Sequence, residues 1–161
     1  MKRLLLAGLL ALAGIADASA QDYPTRPITV IVPFPAGGPT DAIIRNLGER
    51  MRVALGQPLV VEYVTGAGGP VGTTRAQRAA PDGYTIICGH IGTHVTNGAV
   101  YSLPFDLVKD FAPISLLPSN PYLLVVNKDL PVNNLREFLA HLKANPDKVN
   151  MGHPGVGTGP H

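Results

Sequence analysis

The sequence has little that could cross-link a fold and little excess charge of either sign. Its 161 residues include one cysteine, Cys88, so the chain cannot form an internal disulfide. The 13 basic side chains are nearly balanced by 11 acidic ones. That balance excludes the strongly basic surface typical of nucleic-acid binding, and we expect no nucleic-acid partner. Cys88 lies in an apolar stretch and is predicted to be a small buried side chain rather than a catalytic thiol.

Long hydrophobic runs are equally scarce, and the longest is at the N-terminus. A basic start, Met1–Arg3, precedes the apolar run Leu4–Ala16 and the small residues Ala18–Ala20. The run is short of the roughly 20 residues that span a bilayer. We therefore predict a cleaved secretory signal peptide at residues 1–20, which leaves an exported chain that is nearly neutral.

Enzyme motifs are also missing. No G-x-S-x-G nucleophile motif, phosphate-binding P-loop or recognisable carboxylate pair is present. The dinucleotide motif G-x-G-x-x-G fails at Gly66-x-Gly68, because Val71 stands where the third glycine belongs. The Gly155-x-Gly157 segment fails in the same way. We predict no catalytic residue and no cofactor.

Two histidines, His90 and His94, stand four residues apart, which on a helix would place them on one face. Three glycines in the surrounding segment, GHIGTHVTNG, make a regular helix doubtful there, and no third metal ligand is apparent. We therefore interpret both as polar loop histidines and predict no metal site.

The first half of the chain predicts alternating strands and helices. Continuous apolar runs predict strands at Ile28–Phe34, Pro58–Val64 and Tyr84–Gly89. Between them, apolar residues at helical spacing predict a helix from Pro39 to Gly56, capped by Gly38, and a shorter one over Thr73–Ala80. This order indicates a parallel α/β sheet covered on both faces.

The second half is less regular. Apolar pieces near Ile114 and at Tyr122–Val126 predict strands, and a last short strand is predicted at Lys148–Gly152. Between them, Asn134 and Glu137 form a capping pair for a helix that ends at Asn145-Pro146.

Three glycine-rich segments follow predicted strands: PAGGPTD, TGAGGPVG and GHPGVGTGPH. In open α/β sheets, ligands bind beyond the carboxyl ends of the strands, where glycine admits close backbone approach. A helix N-terminus there favours a carboxylate or phosphate. Each segment taken alone is equally consistent with a tight turn that needs a positive φ.

Six segments in this order closely resemble one protein family: YPTRPITVIVPFPAGGPTD, LGQPLVVE, GAGGPVGT, APDGYT, LPFDLVKDFAPI and HLKANPDKVNMGHPGVGTGPH. The family is the Bug family, the periplasmic substrate-binding proteins of tripartite tricarboxylate transporters. The resemblance implies an α/β, type II periplasmic-binding-protein-like fold of two domains. It places the N-terminal part of domain one at residues 21–118 and the start of an incomplete domain two at residues 119–161.

The resemblance also implies function: a monomeric, non-catalytic periplasmic protein that captures a small organic acid for the membrane components of such a transporter. Backbone N–H groups of two loops would hold the carboxylate. Asp41 would orient the ligand or stabilise its own helix N-terminus, and Asn97 is a weaker candidate in the cleft. The ligand-binding residues implied are Phe34, Pro35, Ala36, Gly37, Gly38, Asp41, Asn97, Gly155, Val156, Gly157 and Thr158.

Two alternatives stay open at this point. One is an α/β enzyme that binds a phosphorylated or nucleotide ligand at its glycine loops, and the other is a non-binding truncated remnant. The resemblance implies a full length about twice that of this chain. We therefore expect the chain to be the N-terminal half of such a binder, whether as a truncation, a partial sequence or an excerpt.

Overall fold

The computed structural model describes residues 22–161, and the predicted signal peptide at residues 1–20 lies outside them. Its centre is a three-stranded parallel sheet in the order β2–β1–β3, formed by β1 (Ile28–Val32), β2 (Leu59–Tyr63) and β3 (Thr85–Ile87). Helix α1 (Pro39–Leu55) connects β1 to β2, and helix α2 (Pro70–Gln77) connects β2 to β3. The predicted parallel α/β sheet is confirmed. None of the helices described is long and apolar enough to cross a membrane.

The two connecting helices lie on opposite faces of the sheet. Side chains alternate along a strand, so the neighbours Glu62 and Tyr63 of β2 point to opposite faces. The Tyr63 hydroxyl donates to Asp41 of α1 at 2.6 Å, whereas Glu62 pairs with Arg75 of α2 at 3.3 Å. The sheet is therefore covered by helices on both sides, as the continuous apolar strands predict.

The core lies around the central strand. Val30 and Val32 of β1 are fully buried and pack with Ile44 of α1 and Cys88, which follows β3. Burial raises the pKa of the Cys88 thiol, which stays protonated as a small apolar side chain. The predicted role of Cys88 is confirmed.

The helix ends follow the capping residues of the sequence. Gly38 caps α1 ahead of Pro39, and Gly56 ends it with φ +67°. A later helix, Leu135–Ala144, begins where the Asn134 side chain accepts the Glu137 N–H at 3.1 Å. Helix α2 begins at Pro70 rather than at Thr73, since proline suits the first helical position.

His90 lies in a loop, as predicted, whereas His94 lies in a helical turn, so the prediction of a loop is wrong for His94. A π-helical turn, Gly92–Thr96, leads directly into a short helix α3, Asn97–Val100. Leu135–Ala144 is therefore α4. Glycine lowers helix stability by only about 1 kcal/mol per residue, which local contacts can offset.

Three of the predicted strands are wrong. The segments near Ile114, at Tyr122–Val126 and at Lys148–Gly152 carry no strand. A strand requires a neighbour with which to exchange hydrogen bonds, and residues 22–161 pair only β1, β2 and β3. Pro118 and Pro121 also lack the N–H that a ladder needs.

Two valines on neighbouring strands test where the core lies. Val30 is 0% exposed and Val60 is 51% exposed. Val30→Ala should lower the free energy of unfolding by about 2 kcal/mol, because it removes two buried carbon groups and leaves a cavity. Val60→Ala should cost less than about 0.5 kcal/mol in urea unfolding. Equal losses would contradict the core assignment.

Candidate functional site

Three loops begin at one edge of the sheet. Because β1, β2 and β3 are parallel, their carboxyl ends meet at the same edge. The loops that start there are Pro33–Gly38, Val64–Gly69 and Cys88–Ile91. This edge is where ligands bind in open α/β sheets.

The first loop ends at the N-terminus of α1. The first backbone bond of the helix runs from Ala42 N–H to Gly38 at 3.1 Å. The N–H groups of Thr40 and Asp41 precede it and therefore have no partner within the helix. With the partial positive charge of a 17-residue helix behind them, they favour a negatively charged ligand group. Pro35, Ala36 and Gly37 are exposed beside this helix end.

Asp41 organises that loop from within. Its side chain is almost fully buried and accepts three hydrogen bonds, from Tyr63 Oη at 2.6 Å, Gly37 N–H at 2.7 Å and Arg45 Nε at 2.9 Å. The Tyr63 hydroxyl, the Gly37 N–H and the Arg45 guanidinium hold the pKa of this carboxyl below its ordinary value, against the effect of burial. Arg45 also offsets a negative charge that would repel an anion. The Gly37 N–H is thereby already engaged with Asp41.

The C-terminal segment Gly155–Thr158 is seated against the second glycine loop. A methyl group on Gly155 would stand 2.8 Å from the Cα of Gly68, so the two backbones pass in direct contact. The Tyr101 hydroxyl donates to Val156 O at 3.3 Å. Thr158 is buried and donates through its hydroxyl to Gly155 O at 2.6 Å. The prediction that this segment follows a strand is wrong, but its residues do reach the sheet edge.

Asn97 lies between these two glycine segments. Its side chain is 0% exposed, and Nδ2 donates to Gly68 O at 3.3 Å. Oδ1 faces Gly157, where any Cβ would collide with it. Within residues 22–161, Oδ1 is the only buried side-chain nitrogen or oxygen without a hydrogen-bond partner. The structure therefore brings two of the candidate residues, Asn97 and Gly157, into contact.

His90 connects the first loop to the rest of the site. Its ring stacks on Phe34 with centroids 4.7 Å apart and an interplanar angle of 18°. His94 instead packs edge-on against Phe111, with centroids 5.0 Å apart. Burial lowers the pKa of both imidazoles, and His94 adds to the effect at His90. No three histidine, cysteine or acidic side chains of residues 22–161 are grouped to hold a metal ion.

The candidate residues thus form two groups. Phe34–Gly38 and Asp41 surround the N-terminus of α1, while Gly155–Thr158 and Asn97 meet at the second glycine loop. Sequence reasoning missed the supporting residues. Arg45 carries a signal, since it stands one helical turn after Asp41. Nothing in the sequence marks Tyr63 or Tyr101, because their contacts with Asp41 and Val156 become visible only in the fold.

The sequence profile of the tripartite tricarboxylate transporter family receptors matches residues 43–161. Protein BugT of Bordetella pertussis is 38% identical over 155 residues, which cover 94% of this chain and 48% of the relative. A UPF0065 protein of the same organism is 39% identical over 159 residues, covering 97% of this chain and 48% of the relative. The chain spans about half the length of the curated relatives it matches.

Solved structures show the same similarity. MatC of Rhodopseudomonas palustris, with bound malate, is 42% identical with a TM-score of 0.80, covering 84% of this chain and 47% of that one. An R. palustris protein with adipate is 33% identical with a TM-score of 0.80, covering 85% and 46%. The periplasmic binding protein BugD is 40% identical with a TM-score of 0.73, also covering 85% and 46%.

The Asp41 network predicts a pH dependence. The pKa of Asp41 is lowered on folding from an ordinary 3.8, so its carboxylate stabilises the fold above that pH and loses this effect as the pH falls through the lowered value. Asp41→Asn should reduce stability to urea at pH 7, and the gap to wild type should close in acid. Glu49→Gln, which alters an exposed carboxylate of the same helix, should change little. Equal stability of Asp41→Asn and wild type at pH 7 would refute this role.

The contact between the glycine segments predicts a steric effect. Gly68→Ala adds a Cβ that collides with the Val156 carbonyl oxygen at a residue with φ +73°. It should displace Gly155–Thr158, seen as faster hydrogen exchange of the Thr158 N–H. Gly56→Ala is the matched control, because Gly56 also has a positive φ, +67°, but nothing lies within 4 Å of its Cβ. Unchanged exchange in Gly68→Ala would show that the segment is not seated there.

Proposed function

The chain belongs to the tripartite tricarboxylate transporter family of receptors, and from this premise we propose that it captures a small organic carboxylate in the periplasm for a transporter of that type. Members of this family are periplasmic solute-binding receptors, which supports binding without catalysis. One observation carries the proposal. The free N-terminus of α1 and the loop Val64–Gly69, against which Gly155–Thr158 is seated, both lie at the carboxyl edge of a parallel sheet.

The first half of the proposed grip is the loop Phe34–Gly38. Ala36 and Gly38 would donate backbone N–H groups to a carboxylate, joined by the first turn of α1. The N–H of Gly37 donates to Asp41 and is therefore not available to a ligand. Gly37 would instead contribute its backbone conformation, with φ +84°, which sets the path of the loop. Asp41 would therefore hold the loop in place rather than touch the ligand. Phe34 and Pro35 would supply apolar contact.

The second half of the proposed grip is Gly155–Thr158 with Asn97. Glycine at positions 155 and 157 lets the backbone pass close to Gly68 and Asn97, so that peptide groups rather than side chains line this part. Peptide dipoles can hold an anion without net charge on the protein, which fits a chain with 13 basic and 11 acidic residues.

The ligand class we propose is a small dicarboxylate. The two relatives of known structure with a TM-score of 0.80 hold malate and adipate, each of which carries two carboxylates. A neutral site made of N–H donors fits both ends of such a molecule. The partner would be the membrane part of the transporter.

The remaining proposals concern the whole protein. We propose export through a signal peptide at residues 1–20, a monomeric binder, and a division into residues 21–118 and 119–161. Residues 112–127 carry neither helix nor strand, which supports a boundary in that region.

Two glycines at opposite ends of α1 test the grip. Gly37 (φ +84°) and Gly56 (φ +67°) both have open space where a Cβ would lie. A β-branched residue strains the backbone at both positions, because both φ values are positive. Gly37→Val should abolish binding of malate or adipate to the purified full chain in titration calorimetry, with unchanged circular dichroism. Gly56→Val should bind as wild type does.

Normal binding by Gly37→Val would overturn the assignment of the first loop to the ligand site. Heat of binding for neither malate nor adipate in the wild-type chain would overturn the dicarboxylate proposal itself.

A further inference from the structure

His90 lies between the two halves of the proposed grip. One face of its ring stacks on Phe34 of the first loop. Beside it is Gly92, where a methyl group would stand 3.0 Å from His90 Nδ1 and 3.2 Å from Gly157 O. The imidazole therefore contacts Phe34 of the first half, and only Gly92 separates it from Gly157 of the second half.

The tautomer of His90 follows from one hydrogen bond. The Gly92 N–H donates to His90 Nδ1 at 2.9 Å, so Nδ1 must be unprotonated. The neutral ring then carries its proton on Nε2. Burial, together with the charge of His94, lowers the pKa of His90 and favours this neutral form.

The Nε2–H group has no partner of its own. It forms no hydrogen bond within residues 22–161, and it is not buried, because Asn97 Oδ1 is the only buried unpartnered atom in that range. The backbone of His90 is fixed as well, since its N–H donates to the Thr93 hydroxyl at 2.9 Å. A donor without a partner in residues 22–161 therefore lies on a half-buried ring beside the first loop.

We propose that His90 is a ligand-binding residue that donates its Nε2–H to a carboxylate held between the two glycine loops. The inference rests on the proposed function. A neutral donor adds directionality without adding charge, as the backbone N–H groups do. His94 differs in position, because its ring packs on Phe111 rather than on Phe34 of the first loop.

Two substitutions separate the ring nitrogens. Asparagine places its polar atoms near Nδ1, and glutamine extends an amide N–H to about the position of Nε2. In titration calorimetry of the full chain with malate and adipate, His90→Asn should weaken binding of whichever ligand the wild type binds by about tenfold or more. His90→Gln should stay within a few-fold of wild type. His94→Gln, at a half-buried histidine of the same turn, is the matched control and should bind normally.

Each outcome decides the question. Unchanged affinity in His90→Asn, or equal loss in His90→Asn and His90→Gln, would overturn the Nε2 donor. If His90→Asn fails to fold, nitrogen-15 NMR of the wild type decides instead. We expect the Nε2–H tautomer, and a shift of Nε2 on addition of the bound ligand; a spectrum unchanged by that ligand would overturn the inference. Wild type that binds neither dicarboxylate removes the proposed function, and the inference falls with it.

Discussion

Parallel pairing of β1 with both of its neighbours is the constraint on which the site depends. Each strand must run in the same direction, so each connection must cross back over a face of the sheet as a helix. All three strands therefore release their loops at one edge. The glycine-rich segments at Gly68 and Gly155, which are far apart in the chain, meet there through direct backbone contact. The topology places the first two loops at this edge, and the side chains of Asp41 and Asn97 hold their backbones in place.

Electrostatics at this edge depends on groups that carry no net charge. Asp41 is the one acidic side chain within the first loop and helix turn, and Arg45 compensates it while Tyr63 and Gly37 complete its hydrogen bonds. What faces outward is the helix end, the backbone and an imidazole whose pKa is lowered. Such groups discriminate by direction and distance, which is how a pocket selects one carboxylate spacing over another.

The local features of the fold were readable from the sequence because neighbouring residues determine them. The apolar strand Ile28–Val32, the cap at Gly38 and the pair Asn134–Glu137 each follow from residues a few positions apart. The apolar segment Tyr122–Val126 was wrongly predicted to be a strand. An apolar run forms a strand only when a neighbouring strand exchanges hydrogen bonds with it. The helical turn at Gly92–Thr96 was missed because glycine content argued against a helix, whereas hydrogen bonds between the side chains of His90 and Thr93 and nearby backbone groups stabilise the turn. The membership of the candidate site came from resemblance, whereas Tyr63 and His90 required coordinates.

The glycine contact between the two loops also bears on how such a protein can diverge. At Gly68, Gly155 and Gly157, any other amino acid would place a Cβ against backbone or against Asn97, whatever its chemistry. A substitution at any of these positions must therefore displace one of the two segments, and the positive φ of each glycine adds backbone strain. Exposed neighbours such as Ala36 and Val156 have room for larger side chains. Substitution at such neighbours can therefore alter the surface of the two loops without disturbing the backbone contact between them.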